Sequence, residues 1–476
     1  MENFTGKFLW NSNLLEKITG GKSSGYWECD GIEIDSRKVK EGDLFLALSG
    51  QKLDGHNFVE ASILAGASAV MIKNDYTKNY KKFQNITVTD VFQSLIHIAQ
   101  EARMRAEKLY KTKFIAITGS SGKTSTKEMM KIVLGKIGNT YANPESFNNH
   151  VGVPYSLANI SRNNKFGIFE IGMNRLDEVR DLSSLVRPQV AVITNISEAH
   201  VGNFNSIDEI IKAKSEIFYG LVKGGYAIIN RDKISFEKIK FLANKTGITN
   251  LLTFGQTNKS DVHLKSRKLI NGGQSLVANV FGKEHAYDIN LYGFHQALNS
   301  LSVLAVMKVL GCDVEQGIKA FSSVKTTSGR GKKHKIYIKN KESVLIDDSY
   351  NANPSSVEAS VRMLVEVAQK GRTVFIFGDM KELGHFSKEL HERIASVINK
   401  LKIDLVFCIG EETKVIFKSS KKYCEVFWYR DVNDLNKSNF DDMLLPGDNI
   451  LIKGSRVMQM EKIVKYLIKN CVKERK

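Results

Sequence analysis

The stretch "FIAITGSSGKTSTKEMM", residues 114–130, limits the fold more than any other part of the chain. A short apolar run ends at a glycine-bearing loop, and a helical pattern follows in which Met129, Val133 and Ile137 recur every four residues. A strand–loop–helix bend points backbone N–H groups and a helix N-terminus at one spot, which suits a phosphate. Gly119, Ser120, Ser121, Gly122, Lys123, Thr124 and Ser125 make up that loop. Lys123 would sit on the β- and γ-phosphates of a nucleotide, and Thr124 would offer its hydroxyl to Mg2+. The usual spacing, G-x-x-x-x-G-K-[ST], requires glycine at position 117, where this chain has Ile117. The stretch is therefore a tighter nucleotide loop or a chance cluster. The strand before it and the amphipathic helix after it favour the loop.

The alternation continues on both sides. "KFGIFEIG", "PQVAVITNIS" and "GGYAIIN" read as buried strands separated by helical patterns, which predicts a mostly parallel sheet with helices on both faces. Ligands bind such sheets beyond the carboxyl ends of the strands. That rule puts the glycine loop, Glu170 and the segment from Asn195 to His200 at one edge. The expected fold class is α/β with three domains. Residues 1–112 form a small mixed α/β domain, 113–325 the central P-loop-type domain, and 326–476 a Rossmann-like, doubly wound domain. The last boundary rests on "KTTSGRGKKHK", read as polar and flexible, with "ESVLIDDSY", "RTVFIFGDM", "DLVFCIG" and "DNILIKGS" as strands beyond it.

The formal net charge of +18 raises nucleic-acid binding as a function. The lysines are spread along the whole chain, with no zinc finger, RNP pattern or dense basic helix, so a solvated surface or an acidic substrate explains the charge better. No apolar run is long enough to span a bilayer, and the first residues lack the pattern of a secretory signal. The five scattered cysteines form neither a disulfide framework nor a C-x-x-C site, which suits a reducing cytoplasm. A cytoplasmic monomer that binds no nucleic acid and inserts into no membrane is expected.

Several further residues carry two readings each. Glu170 ends an apolar run, as a Mg2+ ligand or an exposed strand-end carboxylate. His200, in "TNISEAHVGNF", is a metal ligand or a structural histidine. Lys214 lies on a helix, where a solvated lysine is the ordinary reading; beside Mg2+ it could be carbamylated by CO2. In "LIDDSYNANPSS", Asp347 or Asp348 could hold ribose hydroxyls and Tyr350 could pack a base, although the segment also reads as a turn. Arg330 could reach a phosphate or be a solvated charge. "DSR" at 35–37 and "DGH" at 54–56 could read a nucleotide diphosphate or uracil, and turn chemistry explains them almost as well.

Together these segments resemble the Mur ligases of bacterial cell-wall synthesis. "TGSSGKTS" is similar to that family's shortened phosphate loop, and "FEIGMN", "TNISEAHVGNF" and "AKSEIF" follow in the family's order. "DSRKVKEGDLFLALSGQKLDGHNFVEAS", "NPESFNNHVGVP", "DDSYNANPSS", "FGDMKELG" and "KGSRVMQMEKIV" extend the likeness over nearly the whole chain. The resemblance implies catalytic roles for Lys123, Lys214 and His200, and Mg2+ ligation by Thr124, Glu170, His200 and a carbamylated Lys214, with one or two ions. It implies ATP contacts from the loop, Asn299, Arg330, Asp348 and Tyr350. Substrate contacts are implied for Ser36, Arg37, Asp54, Gly55, His56, Asn148, Asn149, Asn351 and Asn353. The implied partners are UDP-MurNAc-tripeptide in the first domain and D-Ala-D-Ala at the third. Gln296 and the very basic "GRGKKHK" depart from the usual pattern.

The implied reaction joins a carboxylate to an amine with ATP. The tripeptide carboxylate attacks the γ-phosphorus to give an acyl phosphate and ADP, and the dipeptide amine then displaces phosphate. A ligase adding the third amino acid lacks support, because no "DNPR" motif occurs; a folylpolyglutamate-type ligase is the other alternative, disfavoured by "DGHNF" and "NANPSS". A P-loop regulator or nucleic-acid ATPase would need an acidic pair after an apolar strand, and "FEIGMN" offers one acid.

Overall fold

Ile117 occupies the position where the longer motif needs glycine, and it is fully buried in a strand. The computed structural model describes residues 8–50, 53–80, 82–144, 146–198, 201–204, 206–369 and 371–472. In it the strand Lys113–Thr118 is flanked by Phe166–Glu170 and Val190–Ile193, both parallel to it. Ile117 pairs with Glu170 on one side and Val192 on the other, and its side chain joins the core under the helix Lys123–Gly135. The loop begins only at Gly119, so it is shorter because the strand is longer.

This central sheet has nine strands. Seven neighbours run parallel from Thr140–Ala142 at one edge through to Val262–Ile270. The strands Val262–Ile270, Gly273–Val280 and Lys283–Ile289 then form an antiparallel extension. Alternation such as "GQSLVANV", buried at every second position over part of its length, fits a sheet covered on one face only. The sequence reading did not single out these three strands. The long helix Phe294–Val309 is apolar nearly all round and is buried against the central sheet.

A five-stranded sheet precedes this one, with Gly31–Glu33, Asp43–Leu46, Ala69–Lys73 and Asn85–Val88 parallel and Lys22–Ser23 antiparallel at the edge. A six-stranded sheet follows. Its parallel strands Lys341–Asp348, Asn449–Lys453, Thr373–Gly378, Leu405–Ile409 and Glu425–Tyr429 are those of a doubly wound domain, and Lys332–Ile338 adds antiparallel at one edge. That last strand corrects the flexible reading of "GRGKKHK". From Lys332 onward the segment is paired in a ladder, and the Gly329–Gly331 turn is held to Asp347 by two backbone N–H donors. Among the described residues, no helix is long and apolar enough to cross a membrane.

The first domain is bound to the central one by buried contacts. Trp10 is 1% exposed and its indole N–H donates to the Ala158 carbonyl at 3.0 Å. The Asn159 side chain imitates a neighbouring strand, accepting from the Ile32 N–H and donating to the Ile32 carbonyl. Arg103, on the helix Val91–Lys108, is buried and donates to the last carbonyls of the helix Glu178–Val186, at Val186 and Arg187. It thereby caps orphan carbonyls of a helix in the other domain.

Candidate active site

The glycine loop is shaped by two close approaches. A Cβ at Gly119, with φ +151°, would stand 2.1 Å from Thr194 Oγ1, and one at Gly122, with φ +82°, would stand 2.9 Å from Asn299 Oδ1. Only glycine fits either position, so the backbone lies directly against the end of the Val190–Ile193 strand and the helix carrying Asn299. The segment after that strand holds the loop from outside: Thr194 Oγ1 donates to the Ser121 carbonyl at 2.6 Å, and Asn195 Nδ2 to Ser121 Oγ at 3.0 Å. Ser120 Oγ donates to the Ser197 carbonyl and accepts from the Ser197 N–H.

Lys123 begins the helix Lys123–Gly135, and its ammonium donates to the Gly119 carbonyl at 2.7 Å. Burial lowers its pKa, opposed by the nearby Glu170 charge. Thr124 Oγ1 donates to Glu170 Oε2 at 2.7 Å, and Asn148 Nδ2 to Glu170 Oε1 at 2.9 Å. Glu170 is 4% exposed, which removes its reading as a solvent-facing strand end. Burial pushes its pKa up, but Lys123, Lys127 and the Thr124 hydrogen bond outweigh that and hold it below the usual value. The site thus keeps an ionised carboxylate beside a hydroxyl, a pair of hard oxygen donors suited to Mg2+.

Lys214 lies on the helix Ile207–Ser215 and is 2% exposed, so it is not a solvated helix lysine. Burial, with help from the Lys123 charge, lowers its pKa well below that of free lysine. A larger share of neutral amine follows, and the neutral amine is the nucleophilic form.

Lys123, Thr124, Glu170 and Lys214 open on one cavity of about 640 Å³, whose opposite wall belongs to the third domain. Ser120 to Ser125, Asn148, Asn149, Glu170, Lys214 and Asn299 line it from the central domain, and Arg330, Asp348, Tyr350, Asn351 and Asn353 from the third. Of the two adjacent acids, Asp348 faces the cavity. Asp347 accepts from the Gly329 N–H and from the N–H and hydroxyl of Ser349, which holds the turn. The Arg330 guanidinium lies 4.1 Å from the Tyr350 ring centre, and the Tyr350 hydroxyl meets Ser146 Oγ at 2.8 Å. One face of that ring is therefore covered by a cation, and its hydroxyl touches the central domain.

Ser36, Arg37, Asp54, Gly55 and His56 do not line this cavity. Arg37 pairs bidentately with Asp35, and Lys38 beside it stands 5.7 Å from the ring of Phe147, next to Asn148. His56 is buried: its Nε2 accepts from the Lys73 N–H, so its Nδ1–H donates to Asp54 at 2.7 Å. Asp54 also accepts from Tyr76, and a Cβ on Gly55 would meet the Leu48 backbone at 2.7 Å. The polar atoms of "DGH" are thus tied to one another and to Lys73, Tyr76 and Tyr80. His200 lies outside the described residues.

The third domain adds residues that were not singled out from sequence. Lys453 is 3% exposed and donates to Asp348 at 2.6 Å and to the Asn351 carbonyl at 2.9 Å. Lys381, beside it in the cavity wall, pairs with the buried Asp379 at 2.8 Å. Both lysines lie at or just past the carboxyl end of a parallel strand, the same signal that marked the glycine loop. In the central domain, Asn143 brackets Glu170 by accepting from its N–H and donating to its carbonyl.

Comparison with known proteins gives the same order of parts. The Mur ligase family catalytic domain matches residues 28–109, the Mur ligase middle domain 117–307, and the Mur ligase glutamate ligase domain 336–456. The chain is 36% identical to the UDP-N-acetylmuramoyl-tripeptide–D-alanyl-D-alanine ligase of Rickettsia prowazekii, over 96% of this chain and 99% of that one. A crystal structure of MurF from Acinetobacter baumannii superposes with a TM-score of 0.85 at 26% identity, covering 97% of this chain and 99% of that one. The MurF ligase of Thermotoga maritima, solved in complex with ADP, superposes with a TM-score of 0.78 at 26% identity, covering 93% and 97%. With all three parts matched in order and a relative aligned over nearly its full length, this chain belongs to the Mur ligase family.

Proposed function

We propose that the chain joins D-alanyl-D-alanine to the terminal carboxylate of a UDP-N-acetylmuramoyl-tripeptide, converting ATP to ADP and phosphate. The observation that carries this reading is the single cavity in which a phosphate loop, a hydroxyl–carboxylate pair and a buried lysine face the third domain's Arg330 and Asp348. Relatives whose names state this activity match the chain end to end.

The loop fits a nucleotide because its two glycines press the backbone into a cradle that a Cβ would fill. Lys123 would exchange the Gly119 carbonyl for phosphate oxygens. Arg330 and Asp348 would hold ATP from the other wall. Thr124, Glu170 and His200 would hold Mg2+, which when bound supplies positive charge against the phosphates. Lys214 would join them once its neutral amine adds to CO2, forming a carbamate and releasing a proton. First-domain residues Ser36 and Arg37 would meet the UDP-sugar, with Asn148 and Asn149 between them and the loop.

The chemistry needs two anions to meet, a carboxylate and a triphosphate, so cations placed in advance contribute most of the rate. The carboxylate oxygen attacks the γ-phosphorus and ADP leaves. The dipeptide amine then attacks the acyl carbon, loses a proton, and the tetrahedral adduct collapses with loss of phosphate. Water would intercept the acyl phosphate, so the third domain must close the cavity during this interval. The need for ATP and the five free cysteines support a cytoplasmic reaction.

The test is phosphate release from ATP and UDP-MurNAc-tripeptide, with and without D-Ala-D-Ala. Release that depends on the dipeptide supports the reading, and release indifferent to it rejects it. For Lys214, the alanine variant should lose turnover and regain part of it with added short carboxylates. Full activity without additives would remove Lys214 from the site.

A further inference from the structure

The segment that holds the phosphate loop from outside also grips the third domain. Ser197 exchanges two hydrogen bonds with Ser120 of the loop, through its N–H and its carbonyl. Its hydroxyl meets Ser355 Oγ at 2.8 Å, at the start of the third-domain helix Pro354–Ala368. The next residue, Glu198, pairs bidentately with Arg393 on the helix Ser387–Leu401, at 2.8 and 3.3 Å. Further on, the Gly202 N–H donates to the Glu382 carbonyl at 2.9 Å. There the two backbones touch: a Cβ on Gly202 would lie 2.5 Å from the Gly384 nitrogen. Neither Glu198 nor Arg393 lines the cavity.

We propose that Glu198 and Arg393 are positioning residues that couple occupancy of the phosphate loop to closure of the third domain, with Ser197 as the link. The inference rests on the ATP-dependent reading of the site. A nucleotide that orders the loop fixes Ser120, and through it Ser197 and Glu198, in the place where Arg393 meets them. Linkage makes the effect reciprocal: if loop occupancy favours the closed arrangement, the closed arrangement must favour the nucleotide by the same factor. The pair is part-exposed, with side chains 32% and 40% accessible, so it adds little to folding. A two-state closure near balance responds to the same small energy with a several-fold change in population.

The experiment uses the full chain with Arg393→Gln, Glu198→Gln and the double variant, each checked by thermal melt. Affinity for a non-hydrolysable ATP analogue with Mg2+, KM for D-Ala-D-Ala and kcat are measured, and small-angle scattering of the analogue-loaded chain reports closure. Each single variant should weaken analogue binding and raise KM by about three- to fivefold. The double variant should be no worse than either single one, because the pair acts as a unit. The loaded variants should scatter as a more open particle. Arg393→Lys, which keeps the charge but loses the planar fork, should recover part of the affinity. Unchanged analogue affinity and scattering in the variants would overturn the coupling, as would additive losses in the double variant. A parent chain that binds no nucleotide would overturn the reading of the site itself, a separate result.

Discussion

The two joints of this molecule are built differently. The first joins the N-terminal and central domains through buried Trp10, the Asn159–Ile32 pairing and the Arg103 cap. The second joins the central and third domains through hydroxyl pairs at Ser197–Ser355 and Ser146–Tyr350 and the ion pairs Glu198–Arg393 and Arg267–Glu366. Val201, Phe204 and Leu383 add a small buried apolar patch there. Separating the first joint would expose a tryptophan and leave buried donors without acceptors, which is costly. Separating the second mostly exchanges polar contacts for water, at little net cost. The first joint therefore serves stability, and the second is free to open beside the cavity.

The sharpest way to test this division is to remove activity without stability. Lys123→Ala should lower turnover at least about 10³-fold, a change of roughly 4 kcal/mol in the barrier. Its melting temperature should fall by little, because Lys127 and the hydrogen bonds from Thr124 and Asn148 still support the buried Glu170. A large drop in melting temperature would show that the loop lysine is structural. Trp10→Ala is the reverse case: a loss of about 3–5 kcal/mol in denaturant unfolding, with near-normal kcat in the fraction that stays folded. A Trp10→Ala chain as stable as the parent would break the idea of a fused first joint.

A smaller effect should appear with pH. His391 is buried, with Nε2 accepting from the Met380 N–H and Nδ1 donating to the Ser387 carbonyl, and burial lowers its pKa. The folded chain therefore holds it neutral while the unfolded chain takes up a proton near pH 6.5. Its contribution is complete above that value and is lost as pH falls through it toward the folded pKa. Protection of the amides around Met380, taken relative to the intrinsic exchange rate at each pH, should fall between pH 7 and 5 while the helix Val91–Lys108 stays protected. Equal loss of protection in both would show that acid acts on the whole molecule. The smallest change is expected from Ser355→Ala. Loss of one hydroxyl pair at an open joint should cost no more than about 1 kcal/mol, read by chemical denaturation. A larger loss would mean that the second joint is as tightly built as the first.

Much of this was legible in the chain, because strand ends in parallel sheets carry both the fold and the site. The glycine loop, Glu170 and Asp348 all follow apolar runs, and period and position locate them together. Asp379 and Lys453 follow the same rule after "TVFIFG" and in "NILIK", and closer application of it would have found them. The hairpin strands from Val262 to Ile289 are marked by Asn271-Gly272, a favoured pair for a tight turn, but the mixed polar residues on their exposed face obscure the alternation. Burial was the least legible property. Lys127, Lys214 and Asn143 are polar in sequence, and only the tertiary packing shows that they are enclosed. The "DGH" turn is a further case: its groups engage Lys73 and Tyr76 as well as one another, contacts with distant residues that the triplet itself does not display.

The meeting of Gly202 with the turn at Gly384 has one more consequence. Two main chains touch there with no side chain between them, so this spot works as a doorstop reduced to zero thickness. Any substitution at Gly202 would act as a wedge whose size is set by the chosen side chain. A series from alanine to leucine would hold the third domain ajar by graded amounts and turn the closing of a cavity into a quantity that can be dialled.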